Sequence, residues 1–224
     1  MVRMLIRAVI LLLCFASPAL ASQIGAVGRV ESTVSDGGCS GILVAPDLVL
    51  SAAHCISPDS TTFAFRPGDG KINRVRHALV KIFQHPMYQL TQDRTLWKLR
   101  FDLAIARLEA PVPAARATPI PPGREAEPGE TLYIVSWRRD GSIKPRQRPC
   151  KVIVGVQGLV TLACKVQGGE SGAPVLRKTK DGLELVAIIS SSSRLFDRPI
   201  AHASDVALRL PPLLDLINAP KPAE

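Results

Sequence analysis

Short β-type runs recur along this chain: Gly41 to Val44, Leu48 to Ala52, His77 to Phe83, Leu103 to Leu108, Leu132 to Ser136, Val152 to Val156, Val160 to Ala163 and Leu185 to Ser190. Gly, Pro and Asp turn signals separate them. Many short strands at such spacing specify an all-β sandwich or barrel and argue against alternating strand and helix units. The pattern breaks between Ala110 and Glu130, where six prolines and few apolar runs mark an extended connector. Two β-rich halves are therefore expected, 22–115 and 131–224, joined by a Pro-rich connector at 116–130. Near the C-terminus, Pro211-Pro212 precede Leu213, Leu214, Leu216 and Ile217, which predicts a short packing helix with the prolines in its first turn.

The first 21 residues carry the three parts of a secretory signal: Arg3 and Arg7, an apolar run from Ala8 to Phe15, and Ala19-Leu20-Ala21 as a cleavage site. The apolar run is well short of the ~20 residues that a spanning helix needs. Cleavage is expected to leave 203 residues in a secreted or periplasmic protein with no stable membrane insertion. That length suffices for one large all-β unit or two small domains with real cores. Four cysteines then remain, Cys39, Cys55, Cys150 and Cys164, in a disulfide-permissive compartment. Three pairings are possible; the sequence-local ones, Cys39 to Cys55 and Cys150 to Cys164, fit two separate subdomains and are the expectation. No CxxC or HExxH spacing points to a metal.

Formal charge falls from +9 to +7 once Arg3 and Arg7 are removed. The excess concentrates in Arg138, Arg139, Lys144, Arg146, Arg148 and Lys151 against Asp140 alone, a run that reads as a solvated loop or an attractor of acidic groups. Export and the lack of interleaved aromatics argue against a nucleic-acid partner.

Ser51-Ala-Ala-His-Cys55 offers a candidate base, His54, and Gly168-Gly-Glu-Ser-Gly-Ala-Pro174 a candidate nucleophile, Ser171. A serine hydroxyl is a poor nucleophile near neutral pH unless an imidazole accepts its proton, so the two gain meaning if the fold brings them together. Gly169 and Gly172 permit a tight turn that exposes the hydroxyl and aims the amides of Gly169 and Ser171 at a developing oxyanion. Ala173 departs from the G-x-S-x-G elbow, and the interval from Ser171 to His202 is too short for that alternative fold.

These two segments, with Phe101-Asp-Leu-Ala-Ile105 between them, resemble the three signature segments of the chymotrypsin-like (trypsin-like) serine peptidases, in the order His, Asp, Ser. The resemblance covers nearly all of the chain after the expected signal. It implies a pair of six-stranded antiparallel β-barrels with a site in the cleft between them. It further implies a serine endopeptidase acting through an acyl-enzyme on protein or peptide substrates, as a monomer, with no metal or organic cofactor. The intact His, Asp and Ser argue against the alternative, a catalytically silent homologue serving as a binding module. By the resemblance, His54 is the general base, Asp102 orients it, and Ser190 hydrogen-bonds Asp102. The only nearby rival, Asp93, lies in a polar stretch.

Departures from the family pattern fall at the substrate pocket and at Glu170. Lys165, Val166, Ile189 and Ser192 occupy pocket positions: an inward Lys165 would favour acidic side chains, and an outward one would leave a neutral or apolar pocket. Animal digestive members carry Asp before the nucleophile, where it binds a newly cleaved N-terminus. Here the residue is Glu170. The Gly-Gly-x-Ser-Gly-Ala-Pro wording is closer to bacterial secreted members, including the glutamyl endopeptidase-like group, although Ile189 stands where that group often has His.

Overall fold

The computed structural model describes residues 23–32, 38–58, 63–68, 75–91, 95–138 and 145–220. The expected signal segment, Asp93, and Arg139, Asp140 and Lys144 of the basic run lie outside the described residues. Strands β1 (Val27–Ser32), β2 (Gly38–Ala45), β3 (Leu48–Ser51), β4 (Phe63–Arg66), β5 (His77–Gln84) and β6 (Ala104–Leu108) close one antiparallel barrel in the order β1-β2-β3-β6-β5-β4. A second barrel runs β10-β11-β12-β9-β8-β7. It comprises β7 (Thr131–Ser136), β8 (Arg146–Val156), β9 (Leu159–Leu162), β10 (Pro174–Thr179), β11 (Gly182–Leu195) and β12 (Arg198–Asp205). The chain is thus an all-β double barrel with a short C-terminal helix. Closure leaves no free sheet edge over most of each barrel.

Alternation builds the interiors. Leu48, Val49, Leu50 and Ser51 of β3, which lies between β2 and β6, are all buried, whereas β5 shows buried Leu79 and Ile82 among more exposed neighbours. Fully buried Phe65 fills the first barrel, and a Cβ at Gly28 would overlap its ring and the carbonyl of Arg66. The larger core cluster continues from the first barrel through Trp137, Leu176, Leu185 and Ile188 to the C-terminal helix. A separate cluster of Leu132, Ile134, Val152, Leu162, Val186 and Ala203 fills the second barrel. The segment between β6 and β7 has one isolated bridge, Pro122 to Leu185, and no strand.

Short helices α1 (Pro86–Leu90) and α2 (Leu96–Leu99) interrupt the approach to β6. The terminal helix, α3 (Val206–Asn218), begins several residues before the expected start, because Asp205 caps it by accepting from the Leu208 amide at 3.0 Å. Pro211 and Pro212 therefore sit inside the helix. Val206, Leu210, Leu213 and Ile217 form its buried stripe. No helix of the described residues is long and apolar enough to cross a membrane.

Candidate active site

β3 is followed by Ala52 and Ala53, both wholly buried, and a short 3-10 turn over Ala53–Cys55 carries His54 out of the barrel. Small side chains are needed there because the turn folds directly against the barrel end. Gln84 pins it by donating to the carbonyls of Ala53 at 2.6 Å and Ile56 at 2.9 Å. Cys55 is bridged to Cys39 on β2, with a Cα–Cα distance of 6.2 Å. Both sulfurs are spent in that bond and offer no thiolate to a metal beside His54. The second pair, Cys150 and Cys164, is likewise bridged, at 5.7 Å between Cα atoms.

Asp102 lies between α2 and β6, only 2 % exposed. Its Oδ1 accepts from the His54 amide at 2.9 Å, and its Oδ2 accepts from His54 Nδ1 at 2.7 Å and from Ser190 Oγ at 2.5 Å. Burial alone would raise the Asp102 carboxyl. Hydrogen bonds from the His54 ring, the Ser190 hydroxyl and the His54 amide, together with the His54 charge, outweigh burial and hold it below the usual carboxylate range. For His54 burial acts downward, but the Asp102 hydrogen bond and charge raise the imidazole above its ordinary 6.5. A carboxylate at Nδ1 fixes the N–H there and leaves Nε2 as a free acceptor in the neutral ring. Nε2 lies 3.7 Å from Cys55 Sγ, a disulfide sulfur with no proton to give.

Ser171 sits across the seam on the loop before β10. His54 and Ser171 line one open cleft of about 350 Å³, together with Cys39, Phe63, Gly168 and Gly169. The loop needs its glycines: φ is +91° at Gly169 and +77° at Gly172, and a Cβ at Gly172 would overlap Ser40 O and Ser51 Oγ. Ser40 on β2 grips this loop. Its amide donates to Ser171 O at 2.7 Å and its hydroxyl to Gly169 O at 2.9 Å, while Ser40 Oγ accepts from the Trp137 amide at 3.0 Å. Among the described residues, the amides of Gly169 and Ser171 have no backbone acceptor, whereas those of Glu170, Gly172 and Ala173 do.

Glu170, without solvent exposure, points away from the cleft into a cluster of donors. Ser136 Oγ (2.5 Å), Arg148 (2.7 Å) and Arg138 Nε (3.2 Å) reach its Oε1; Arg148 (3.0 Å) and the Gln167 amide (2.7 Å) reach its Oε2. Burial pushes this carboxyl up, but the Arg148 and Ser136 hydrogen bonds, the Arg148 charge and the Gln167 amide together hold it below the usual range. The basic run is thus not simply a solvated loop. Arg138 and Arg148 turn inward because a buried carboxylate without cations is far costlier than an ordered arginine.

The pocket positions separate. Lys165 is exposed, and its carbonyl accepts from Arg148 at 3.0 Å; Val166 is half-buried against the second core; Ile189 is wholly buried within it; Ser192 is exposed. Ser190 joins Asp102 as described, 4 % exposed. Sequence reasoning missed Ser40, Ser136, Arg138 and Arg148 as parts of this neighbourhood. The one available signal was the basic run on one side and a lone acidic residue beside the candidate nucleophile on the other.

A family model, the trypsin-like peptidase domain, matches residues 39–188. The chain belongs to that family. It is similar to a tryptase from Mus musculus, 29% identical over 112 residues, covering 44% of this chain and 37% of the relative. Similar too are kallikrein-2 from Homo sapiens, 31% over 122 residues (49% and 44%), and human chymotrypsin-like elastase family member 3A, 26% over 122 residues (51% and 38%). The chain spans less than half the length of each of these relatives.

Proposed function

We propose that the protein is an exported serine endopeptidase in which His54, Asp102 and Ser171 act together. The carrying observation is the Asp102 carboxylate on His54 Nδ1 at 2.7 Å, in a histidine that lines the same cleft as Ser171. In this reading Ser171 Oγ attacks the scissile carbonyl while His54 Nε2 takes its proton. The amides of Gly169 and Ser171 donate to the oxygen that becomes negative. His54 then delivers its proton to the leaving amine, and a water molecule, deprotonated by the same nitrogen, releases the acyl group. Asp102 stabilises the imidazolium and stays ionised, as its lowered proton affinity requires.

β11 supports peptide recognition. Its pairing with β10 ends at Ile188, so among the described residues only β12 pairs with it from Ser191 onward, which suits the other edge to an extended substrate strand. Lys165 is exposed, and with its side chain turned outward Val166 and Ile189 leave a neutral or apolar pocket, favouring uncharged side chains over acidic ones. The signal-like segment 1–21 and the two disulfides favour a secreted or periplasmic protein, which we read as a monomer with its two barrels divided at 116–130. A peptide-library cleavage profile tests this function. Cleavage after uncharged residues, unchanged in Lys165→Ala, is expected; no cleavage of any peptide by folded protein would contradict it.

A further inference from the structure

Beyond the cleft of His54 and Ser171, the second barrel carries a larger open groove of about 810 Å³. Leu195, Phe196 and Ile200 of the β11–β12 hairpin, Ile153 of β8 and Ala163 after β9 supply its apolar lining. Lys165 and Arg198 stand beside them. Among the described residues neither cation has an acidic partner, and no acidic side chain lines the groove. An apolar trough with two unpaired cations is complementary to a ligand that is apolar and negatively charged at once.

The hairpin tip is built at a cost that the fold does not recover. β11 and β12 pair as far as Leu195 with Arg198, which leaves Phe196 and Asp197 as a two-residue loop with φ of +45° and +63°. Such a loop favours Asn, Asp or Gly at its central positions, and a bulky aromatic is disfavoured in the left-handed region. Phe196 is also 93% exposed, so its ring buries almost nothing in return. The tip is nevertheless held in place, because Arg194 donates to Asp197 O at 2.7 Å. Backbone strain and exposure combined at one aromatic side chain mark a surface that a partner completes.

The position of the groove says which partner. Leu195 follows on the same strand as Ser190, which touches Asp102. A chain laid along the edge of β11 beyond Ile188 advances about 3.4 Å per residue, so a substrate residue roughly five positions from the cut bond reaches the groove. We infer that the groove is a recognition site for the substrate chain itself, taking an apolar residue flanked by Asp or Glu roughly five positions from the scissile bond. The inference rests on the proposed peptidase reading. It also gives the exposed Lys165 a task, because its ammonium serves this groove and not the side chain at the cut bond.

The test uses the full chain and a short peptide that it cuts, extended by Glu-Leu-Glu, Lys-Leu-Lys or Gly-Ser-Gly on one side of the cut bond or the other. Glu-Leu-Glu is expected to lower KM about tenfold or more against Gly-Ser-Gly, on a single side and with kcat unchanged, since binding far from the reacting atoms is uniform. Arg198→Glu and Phe196→Ala are expected to lose that gain while cutting the unextended peptide as the wild type does. Phe196→Asn, suited to the turn, is expected to melt higher and still lose the gain. Equal KM for the three extensions, or a gain kept in both Arg198→Glu and Phe196→Ala, overturns the inference. So does a concentration-dependent dimer in sedimentation that Phe196→Ala abolishes, because the groove then belongs to a second copy. If no peptide is cut, the peptidase reading fails by itself, and fluorescence anisotropy of a labelled Glu-Leu-Glu peptide decides the rest. Binding weakened in Arg198→Glu then sustains the groove, and no binding overturns it.

Discussion

The amide of Ser40, on β2 of the first barrel, donates to the carbonyl of Ser171, on the second, at 2.7 Å. With the Ser40 hydroxyl on Gly169 O, this places the loop of the proposed nucleophile directly on the strand that Cys39 ties to His54's turn. Ser40 thus joins the two halves of the site, as Ser190 on Asp102 does from the other barrel. Replacing the Ser40 side chain leaves the buried Trp137 amide and Gly169 carbonyl without that partner, each costing roughly 1–3 kcal/mol. Ser40→Ala is expected to lower the melting temperature by several degrees and kcat more than KM, as read by calorimetry and peptide hydrolysis.

Asp102→Asn presents an amide where His54 Nδ1 now finds a carboxylate. Its NH₂ favours the tautomer that protonates Nε2, which cannot then accept from Ser171. A fall of about 10⁴-fold in kcat is expected, with circular dichroism unchanged.

The pH dependence follows from His54. Its proton affinity is raised in the folded protein, so the imidazolium is stabilised relative to the unfolded chain; that contribution is full below 6.5 and disappears as pH rises through the higher folded value. Catalysis needs the opposite, neutral form. The acidic limb of kcat/KM for the free enzyme is therefore expected to titrate above 6.5, and Ser190→Ala, which removes one donor to Asp102, is expected to shift that limb upward.

Loss of the Cys39 to Cys55 bridge frees a loop with a sequence separation of 16, worth about 3 kcal/mol in the chain-entropy account. The Cys39→Ala/Cys55→Ala double variant is expected to unfold at lower denaturant, and to lose activity because His54 sits beside the bridge. Chemical denaturation at constant m-value checks the first effect.

An all-β sandwich or barrel in two halves was legible in the short apolar runs, and the pair of six-stranded barrels in the family resemblance, but four strands were not. β12 reads Arg-Pro-Ile-Ala-His-Ala-Ser-Asp and looks like a turn; its outer-face polar groups are satisfied across the fold, Ser204 on Leu99 O and His202 between Thr161 and Ser193. β1, β4 and β10 likewise carry polar residues whose partners are distant in sequence, Glu31 with Arg66 and Arg177 with Glu130. The helix start was misplaced because prolines were read as a beginning while Asp205 supplied the cap. At the site, His54, Asp102 and Ser171 sit in recognisable local motifs. Ser40 and Gly169 are 129 residues apart, and no local pattern announces such a pairing. Arg148 was hidden in a charged run whose orientation depends on where Glu170 is buried.

Covalent labelling by a fluorophosphonate probe tests the central claim most directly, because only a serine hydroxyl activated beside an imidazole and facing an oxyanion site reacts at speed. One adduct per chain, mapped by mass spectrometry to Ser171 and lost in both Ser171→Ala and His54→Ala, is the predicted result. No adduct on folded wild-type protein, or equal labelling in His54→Ala, would contradict the account.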